Sequence, residues 1–468
     1  MVMPLTGFLG AFFGQKRVYL ASLVLFVVGS ALCGLARSLP VLVCFRVIQG
    51  LGAGALQPTQ QAILRQTFPP HEQGMAMAMW AMAVMIGPAV GPSLGGVIID
   101  TYSWPWIFYI NLPVGALGAF MTWRFVHEPD DVRRANRARA EHQRRSLDVA
   151  GIVLMCTGVA SLQYLLEEGP RADWFESTRI VVAAVVALVA LGAFVAQELV
   201  AEAPVVNLRL FRDPTFASGT ALGAVLYAVL MGSMFLLPVF MQELLHYDAT
   251  HSGVMLMPRT VAMMVATPIV GRLYARVPPA VTMGVGVLLF MVASFGLSHI
   301  TLQSSQGDIV VPLLITGVAF ACLFIPLTTA ALAKVPRPLL ADAAGLSSFV
   351  RQLGGTVGLT VFATLLSRYA TEASAALRGS VTELRPEVGI ELATLRGGLV
   401  ERGMPAASAD AAALKMAAGR VTAQGFVLAF EKSFLLQGMA FIAVLPLLFF
   451  LRVDAKQRGS APTEAPLE

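Results

Sequence analysis

One apolar stretch of the sequence, residues 40–64, carries long polar side chains at helical spacing. At 100° per residue these side chains fall within about 120° of one another; they are Arg46, Gln49, Gln57, Gln60 and Gln61. A polar stripe on a membrane helix has to face protein or a water-filled cavity, because lipid offers no hydrogen-bond partner. A buried cation is costly and therefore a functional candidate. The stripe predicts the wall of a solute pathway, with a structural arginine bonded to carbonyl groups as the alternative.

Two further arginines, Arg259 and Arg351, lie inside apolar runs, whereas acidic residues lie near the ends of such runs, as do Asp100, Asp148, Glu167 and Glu243. Arginine stays protonated in proteins and cannot exchange protons at working pH. Proton-coupled transport by this chain therefore requires an acid that the apolar runs do not supply. Either that acid lies on a preceding helix, or the coupling is absent.

A glycine and proline motif occupies the apolar run 75–99. Gly87, Gly91 and Gly95 are spaced by four residues, which places them on one helix face, and Pro88 and Pro92 interrupt the backbone donors. Small residues at this spacing allow two membrane helices to approach closely. The pattern predicts either plain helix packing or a bendable seam that closes one side of a pathway.

The elements that position these residues are membrane-spanning helices. The 468-residue chain is 56% hydrophobic and only 13% charged, about half the charge of a soluble domain. A bilayer span needs about 20 mostly apolar residues. Twelve stretches satisfy this length, and a shorter thirteenth covers 1–13; the twelve are 18–36, 40–64, 75–99, 105–125, 148–166, 179–200, 217–241, 252–274, 279–299, 309–332, 345–366 and 433–451.

Lys and Arg residues fix the predicted orientation. If the loop with Lys16 and Arg17 is cytoplasmic, the Arg-rich stretch 126–147 and the C-terminal tail also fall inside, while the opposite loops hold little beyond Arg37 and Arg171. Cytoplasmic loops carry such an excess of positive charge. The net charge of +5 therefore indicates a membrane topology and not a nucleic-acid partner.

The chain also resembles itself. Residues 4–9 recur at 268–273, and Gly87–Gly91 recurs as Gly354–Gly358, at offsets of 264 and 267. Parallel repeats of this kind indicate two homologous helix bundles. Residues 1–125 are predicted to form an incomplete first bundle, and 126–204 a cytoplasmic linker with an inserted helix pair. Residues 205–455 are predicted to form a six-helix second bundle with an external loop at 367–432, followed by a cytoplasmic tail at 456–468. The counterpart of 217–241 would lie upstream of residue 1, so we expect the first bundle to be one helix short.

Other chemistries lack a sequence signal. The four cysteines lie singly in apolar runs, which predicts neither a disulfide nor a metal site. No nucleotide-binding P-loop is present, which argues against ATP-driven transport. No enzyme activity, cofactor or metal is predicted.

Several stretches resemble the 14-helix drug:proton antiporters of the major facilitator superfamily, the EmrB/QacA-like group. Residues 45–54, FRVIQGLGAG, resemble the R-x-x-Q-G-x-G-x-G motif of that group, and residues 87–96, GPAVGPSLGG, resemble its antiporter motif. The stretch 106–115, WIFYINLPVG, is typical of the group, and 173–175 and 324–329 also match. The cytoplasmic loop motif departs from the family pattern because Ala11 stands where an acid is usual.

The resemblance implies an all-α membrane protein with the major facilitator fold: two pseudo-symmetric bundles, an inserted helix pair and about 13 segments, the first truncated. The resemblance, the polar stripe and the two buried arginines together predict the pathway and coupling residues, which are Arg46, Gln49, Gly50, Gln57, Asn111, Arg259 and Arg351. The gating motif would be Gly87, Gly91, Pro92, Gly95 and Gly96, and the cytoplasmic loop motif Gly7, Gly14, Lys16 and Arg17.

The function implied by the resemblance is multidrug or antibiotic efflux across the bacterial inner membrane by proton antiport. The expected partners are a hydrophobic or amphipathic substrate, protons, the lipid bilayer, a periplasmic adaptor and an outer-membrane channel, without nucleic acid. Two alternatives stay open. One is a non-transporting chain, truncated or with a misassigned start, since the family's first helix carries an Asp that this chain lacks. The other is an exporter of one metabolite or lipid.

Overall fold

The structure is a computed structural model that describes residues 2–69, 72–128, 132–134, 136, 148–201, 204–273, 277–336, 339–380, 385–442 and 446. Within these ranges the main α-helices are α1 (Thr6–Phe13), α2 (Gln15–Gly34), α3 (Leu39–Thr67), α4 (Gln73–Thr101), α5 (Trp106–Tyr109), α6 (Asn111–Phe125), α7 (Val149–Glu168), α8 (Thr178–Val200), α9 (Pro214–Val239), α10 (Ala249–Leu273), α11 (Pro279–Leu297), α12 (Gln306–Ala331), α13 (Leu340–Ser380), α14 (Pro386–Glu401) and α15 (Ala406–Ile442).

Eleven segments of the described residues are long and apolar enough to cross a bilayer. They coincide with eleven of the twelve predicted spans, and the remaining one, 75–99, lies within α4, a helix of 29 residues. The chain is therefore a multi-pass membrane protein with an all-α fold. The predicted tail at 456–468 and most of the Arg-rich stretch 126–147 lie outside the described residues.

The predicted span 105–125 consists of two helices, α5 and α6, that meet at Ile110. Pro113 follows three residues later and has no N–H to continue the ladder. The break lets the Phe108 carbonyl and the Asn111 side chain both bond to the Ser30 hydroxyl of α2.

The two bundles are related by the repeat. The offset found in the sequence aligns α2, α3 and α4 with α11, α12 and α13, and the contacts follow: α2 packs on α3 and α6 as α11 packs on α12 and α15. Between the bundles, α4 packs on α10 and α1 packs on α13, which are equivalent pairs under the repeat. These equivalent contacts are those that the predicted pseudo-twofold symmetry would produce, and the division into two bundles stays a prediction.

The inserted pair α7 and α8 packs on itself and attaches to the second bundle. Thr360 of α13 donates from its hydroxyl to the Leu166 carbonyl at 3.0 Å. At the cytoplasmic end of α8, the buried Glu198 accepts the N–H of Val206 at 3.2 Å. This carboxylate ties the inserted pair to the segment that leads into α9.

The external connection 367–432 is largely helical, which corrects the predicted ends of two spans. The span predicted at 345–366 continues to Ser380, and the helix of the last span begins at Ala406 instead of residue 433. Alanine-rich sequence favours helix beyond the membrane boundary. Two exposed ion pairs join α14 to α15, Arg420–Glu391 at 2.6 Å and Arg396–Asp410 at 3.0 Å.

The contact between α13 and α9 depends on two glycines. A Cβ added at Gly354 or Gly358 would meet the main chain of Ala224 or Ala228 at less than van der Waals distance. Two helices approach this closely only where one of them lacks side chains.

We therefore expect Gly358→Ala to destabilise the protein, because inserted volume in a packed contact costs about 1–3 kcal/mol. Gly192→Ala on α8 is the matched control, since an added Cβ there meets nothing within 4 Å. Alanine is a better helix former than glycine by about 1 kcal/mol, so the control should be neutral or stabilising. Thermal unfolding in detergent measures both, and equal effects would contradict the packing argument.

Candidate functional site

A hydrogen-bonded network joins three parts of the first bundle near the external side. Arg46 Nη1 donates to Gln49 Oε1 at 3.0 Å, and Gln49 Nε2 donates to the Ser30 hydroxyl at 3.0 Å. Asn111 Nδ2 also donates to Ser30 Oγ at 2.9 Å, and this hydroxyl donates to the Phe108 carbonyl at 3.0 Å. The structure thus brings together three residues predicted from the sequence, Arg46, Gln49 and Asn111.

Burial differs sharply along this network. Ser30 is fully buried and Gln49 is 4% exposed, whereas the Arg46 side chain is exposed and its guanidinium lies 5.1 Å from the centroid of the Phe108 ring. The buried members hold the exposed one in place. The arrangement presents a fixed cation beside an aromatic ring, which can contact an aromatic or anionic group.

Close approach of α2 and α3 makes the network possible. A Cβ added at Gly29 would lie 2.7 Å from the Gln49 Cα, and one added at Gly52 would lie 2.5 Å from the Phe26 nitrogen. Each helix therefore contributes one glycine to the contact. With ordinary side chains at these positions, Gln49 could not reach Ser30.

The other members of the predicted stripe lie toward the cytoplasm and behave differently. Gln60 donates to the Tyr19 hydroxyl at 2.8 Å and accepts the Trp80 indole N–H at 3.1 Å. Gln61 is fully buried, and neither its amide nitrogen nor its oxygen has a hydrogen-bond partner among the described residues. Gln57 is half-buried and joins neither network in the described part of the chain.

The two predicted arginines of the second bundle occupy separate buried sites. Arg259 of α10 is 4% exposed and donates to the Ser233 hydroxyl of α9 at 3.3 Å. Arg351 of α13 is 5% exposed and donates to Ser347 at 3.0 Å and Ser348 at 2.8 Å. Among the described residues both cations therefore donate to serine hydroxyl groups, and neither arginine meets Arg46.

Aromatic rings connect Arg351 to the first bundle. The guanidinium lies 5.9 Å from the Tyr227 ring, and the Tyr227 ring lies 6.4 Å from Phe324. Phe324 then stacks on Trp80 of α4 at 6.2 Å. Because Trp80 bonds Gln60, an unbroken series of contacts runs from the polar stripe of α3 to the buried arginine of α13.

The cytoplasmic side is closed by contacts between the bundles. Gly7 of α1 lies directly against Asp342 of α13, leaving no space for a Cβ. Arg65, at the end of α3, is 4% exposed and donates to the Thr328 carbonyl of α12 at 3.3 Å. Together with the Trp80–Phe324 stack, these contacts join the two bundles at the end of the molecule that the positive loops predict to be cytoplasmic.

The remaining loop-motif residues fix the turn between α1 and α2. Gly14 has φ of 84°, a left-handed value that favours glycine. Lys16 Nζ donates to the Trp123 carbonyl at 2.8 Å, and Arg17 is exposed.

The glycine motif of α4 is mostly unpacked. A Cβ added at Gly87, Gly91 or Gly95 meets nothing within 4 Å among the described residues, and the same holds for Gly50 of α3. At Gly96, by contrast, an added Cβ would lie 3.0 Å from Thr250 Oγ1 of α10. The side chain of Pro92 lies outside the described residues. A gating role for this motif stays a prediction.

Sequence reasoning missed Ser30, Trp80, Tyr227 and Phe324. A single hydroxyl or aromatic residue in an apolar run has no periodicity that distinguishes it from core. For Trp80 a signal was available, since an indole N–H inside a span needs a partner.

Comparison with known proteins places this geometry in a family. The sequence profile described as Major Facilitator Superfamily matches residues 1–359. The chain is 33% identical over 454 residues to the multidrug export protein EmrB of Haemophilus influenzae, covering 96% of this chain and 85% of that protein. It is 31% identical over 450 residues to the fatty acid resistance protein FarB of Neisseria gonorrhoeae, with the same coverage.

Solved structures share the fold. The human organic anion transporter MFSD10 aligns with a TM-score of 0.61 at 14% identity, covering 95% of this chain and 80% of that one. The proton:xylose symporter XylE aligns with a TM-score of 0.52 at 14% identity, covering 77% and 75%.

Ser30 is the common partner of the external network, so we expect Ser30→Ala to lower stability. The substitution leaves the buried amide of Gln49 without its acceptor, at about 1–3 kcal/mol for an unsatisfied buried group, and it also removes the acceptor of the half-buried Asn111. Ser218→Ala is the control, because this buried hydroxyl donates only to carbonyls of its own helix, Pro214 and Thr215. Thermal unfolding of both variants tests the prediction, and a Ser30→Ala melting curve no lower than that of Ser218→Ala would refute it.

Proposed function

The chain belongs to the Major Facilitator Superfamily, and from that premise we propose that it exports hydrophobic or amphipathic small molecules by proton-coupled alternating access. The observation that carries the proposal is the 33% identity to a multidrug export protein over 96% of the chain. Multidrug export is the named activity of that relative, and we propose the same activity for this chain.

The site supports this kind of substrate. The exposed guanidinium of Arg46, which lies over the buried Phe108 ring, offers a cation to a ligand at the external end of the first bundle. The nearby polar groups of Gln49 and Asn111 are already bonded to Ser30. A site with few free polar groups discriminates weakly among apolar molecules, which suits a multidrug exporter.

We propose proton coupling because the sequence resembles that of drug:proton antiporters. The two buried arginines of the second bundle cannot release protons at working pH. Their hydrogen bonds go to serine hydroxyls, so we propose that the proton-carrying acid is another residue.

A specific observation favours a second candidate, export of fatty acids or a related lipid. The similarity to the fatty acid resistance protein covers as much of the chain as the similarity to the multidrug exporter. A carboxylate headgroup would pair with Arg46, and an acyl chain would lie along the apolar helices.

We place the protein in the bacterial inner membrane, with α14 and the first half of α15 on the periplasmic side. This helical extension exposes Ile390, Val400 and Leu414, which is consistent with a periplasmic adaptor as partner and an outer-membrane channel beyond it. Co-purification of the chain with and without residues 386–401 would test the adaptor.

Replacing Arg46 tests the pathway. We expect Arg46→Ala to slow dye efflux from preloaded cells by about tenfold or more, because a hydrogen bond to a charged group contributes about 1.5–3 kcal/mol. Arg46→Lys should recover part of the rate, since lysine keeps the charge without the planar contact to Phe108. Arg171→Ala, which removes an exposed cation bonded to Glu168 at 3.3 Å, is the control. Equal amounts of each variant in the membrane are verified by immunoblot, and an undiminished Arg46→Ala efflux rate excludes the role.

Proton antiport is tested in inside-out vesicles with an acidified lumen and a pH-sensitive dye. Adding a transported drug should alkalinise the lumen, because each inward drug movement releases lumenal protons. Vesicles without the protein are the control. Drug accumulation without a pH change would reject proton coupling while leaving export intact.

A further inference from the structure

The inserted helix pair contains a buried acid that the proposed transport does not use. Glu198, near the end of α8, is 1% exposed, and its Oε2 accepts the Val206 N–H at 3.2 Å. The other oxygen, Oε1, is buried and has no hydrogen-bond partner among the described residues. An ionised carboxylate here would keep one oxygen desolvated and unbonded, which is costly. The bond to Val206 therefore satisfies only half of this side chain.

A second carboxyl group faces the unbonded oxygen. Glu198 Oε1 lies 3.0 Å, and Asp148 Oδ2 lies 2.8 Å, from the point where a Cβ of Gly151 would stand. Gly151 is buried in the first turn of α7, and a larger residue there would fill the space between the two carboxyl groups. The glycine thus leaves the two carboxyl oxygens facing each other with no side chain between them.

The hydrogen bonds of Asp148 indicate which of the two carboxyl groups is ionised. Asp148 caps α7, where its Oδ1 accepts the Gly151 N–H at 2.8 Å, and the Gln197 Nε2 lies 3.3 Å from both of its oxygens. These partners are all donors, and a carboxylate is favoured at a helix N-terminus. Two facing carboxyl groups do not both ionise readily in a desolvated space. The arrangement therefore favours a charged Asp148 and a neutral Glu198.

No described cation compensates a charge on Glu198. Asp148 is the charged group of α7 that faces it, and the connecting segment, residues 204–212, meets it with the Val206 N–H. The other described charges at this end of α9, α13 and the connecting segment are bonded elsewhere or exposed: Asp213 caps α9, Asp342 lies against Gly7, and Arg209 and Arg212 are exposed.

Glu198 lies where the inserted pair meets the second bundle. Val205 and Val206 of the connecting segment are 1% and 3% exposed, and they pack in one apolar cluster with Phe194 of α8, Phe216 of α9 and Leu340 of α13. Because Val206 is bonded to Glu198, a charge on Glu198 that drew in water or moved away from Asp148 would disturb this joint.

We propose that Glu198, facing Asp148 across the space at Gly151, is a proton-binding site, and that the bound proton keeps the connecting segment docked between the inserted pair and the second bundle. The proton comes from water at this end of the helices and returns to it when Glu198 ionises. It stays on the inserted pair and is not exchanged for substrate, so the site goes beyond the proposed export function. Its test needs no transported drug.

Infrared difference spectroscopy of the protein in nanodiscs tests the proton. The C=O stretch of a neutral acid is followed as the pH is raised from about 6 to about 10, a range in which exposed carboxyl groups are already ionised and buried ones titrate. We expect the parent to lose one such band and Glu198→Gln to lack it. Glu167→Gln is the matched control and should retain the band, because Glu167 of α7 is exposed and bonded to Gln163 at 2.6 Å.

Asp148→Asn supplies a second variant that leaves Glu198 in place. Asparagine also caps helices well, whereas the charge that faces Glu198 is removed. The infrared band should then vanish at a lower pH than in the parent. A purely structural role of Asp148 would not move this pH.

Hydrogen exchange of the connecting segment, followed by mass spectrometry, tests the docking. It is measured one pH unit below and one above the infrared midpoint, with labelling times scaled to offset base catalysis of exchange. We expect the parent and Glu198→Gln to be equally protected below the midpoint, because a glutamine oxygen can still accept the Val206 N–H. Above the midpoint the parent should become about tenfold less protected, the equivalent of one pH unit of proton linkage, while Glu198→Gln stays protected.

Three outcomes overturn the proposal. A band that persists in Glu198→Gln would show that another group holds the proton. A band that vanishes at the same pH in Asp148→Asn would show that the two carboxyl groups do not interact. Unchanged protection of the connecting segment across the midpoint in the parent would show that docking does not depend on the proton. If Glu198→Gln fails to fold, the Asp148→Asn spectra and the parent's exchange still decide.

Discussion

The hydroxyl of Ser30 is the point on which the first bundle depends. It accepts hydrogen bonds from Gln49 and Asn111 and donates to the Phe108 carbonyl, so one oxygen joins α2, α3 and the break between α5 and α6. Lipid supplies no substitute partners for such groups. The glycines that bring α2 and α3 together, and the proline that interrupts α5 and α6, are therefore consequences of one requirement: the polar groups that hold Arg46 must be bonded within the protein.

The two bundles satisfy the same sequence repeat in different ways. In the second bundle, Gly354 and Gly358 lie against the main chain of α9. At the equivalent positions of the first bundle, Gly87 and Gly91 face no neighbour among the described residues. The two glycine pairs have nearly the same local sequence and the same helical conformation.

The positions of the spans were predictable from the sequence, whereas several contacts between helices were not. Span positions follow from hydropathy alone, because about 20 apolar residues have few other uses. Arg46 and Gln49 were identifiable since long polar side chains recur on one helix face. Ser30, Trp80 and Phe324 were not, because their role depends on which helices adjoin them. Helical periodicity near 405–430 predicted the first part of α15, whereas the continuation of α13 to Ser380 was not predicted, since alanine-rich helix there carries no apolar signal.

The cytoplasmic interface combines stabilising and destabilising contacts in a way that suits a moving part. Trp80 stacks on Phe324, Arg65 bonds the Thr328 carbonyl and Gly7 packs on Asp342, so the closed state has both apolar and polar support. One turn before Arg65, Gln61 is buried without a hydrogen-bond partner among the described residues. Each such group opposes burial by about 1–3 kcal/mol. Under the proposed alternating access, opening this side to water would give the buried Gln61 amide hydrogen-bond partners and would therefore favour the open state.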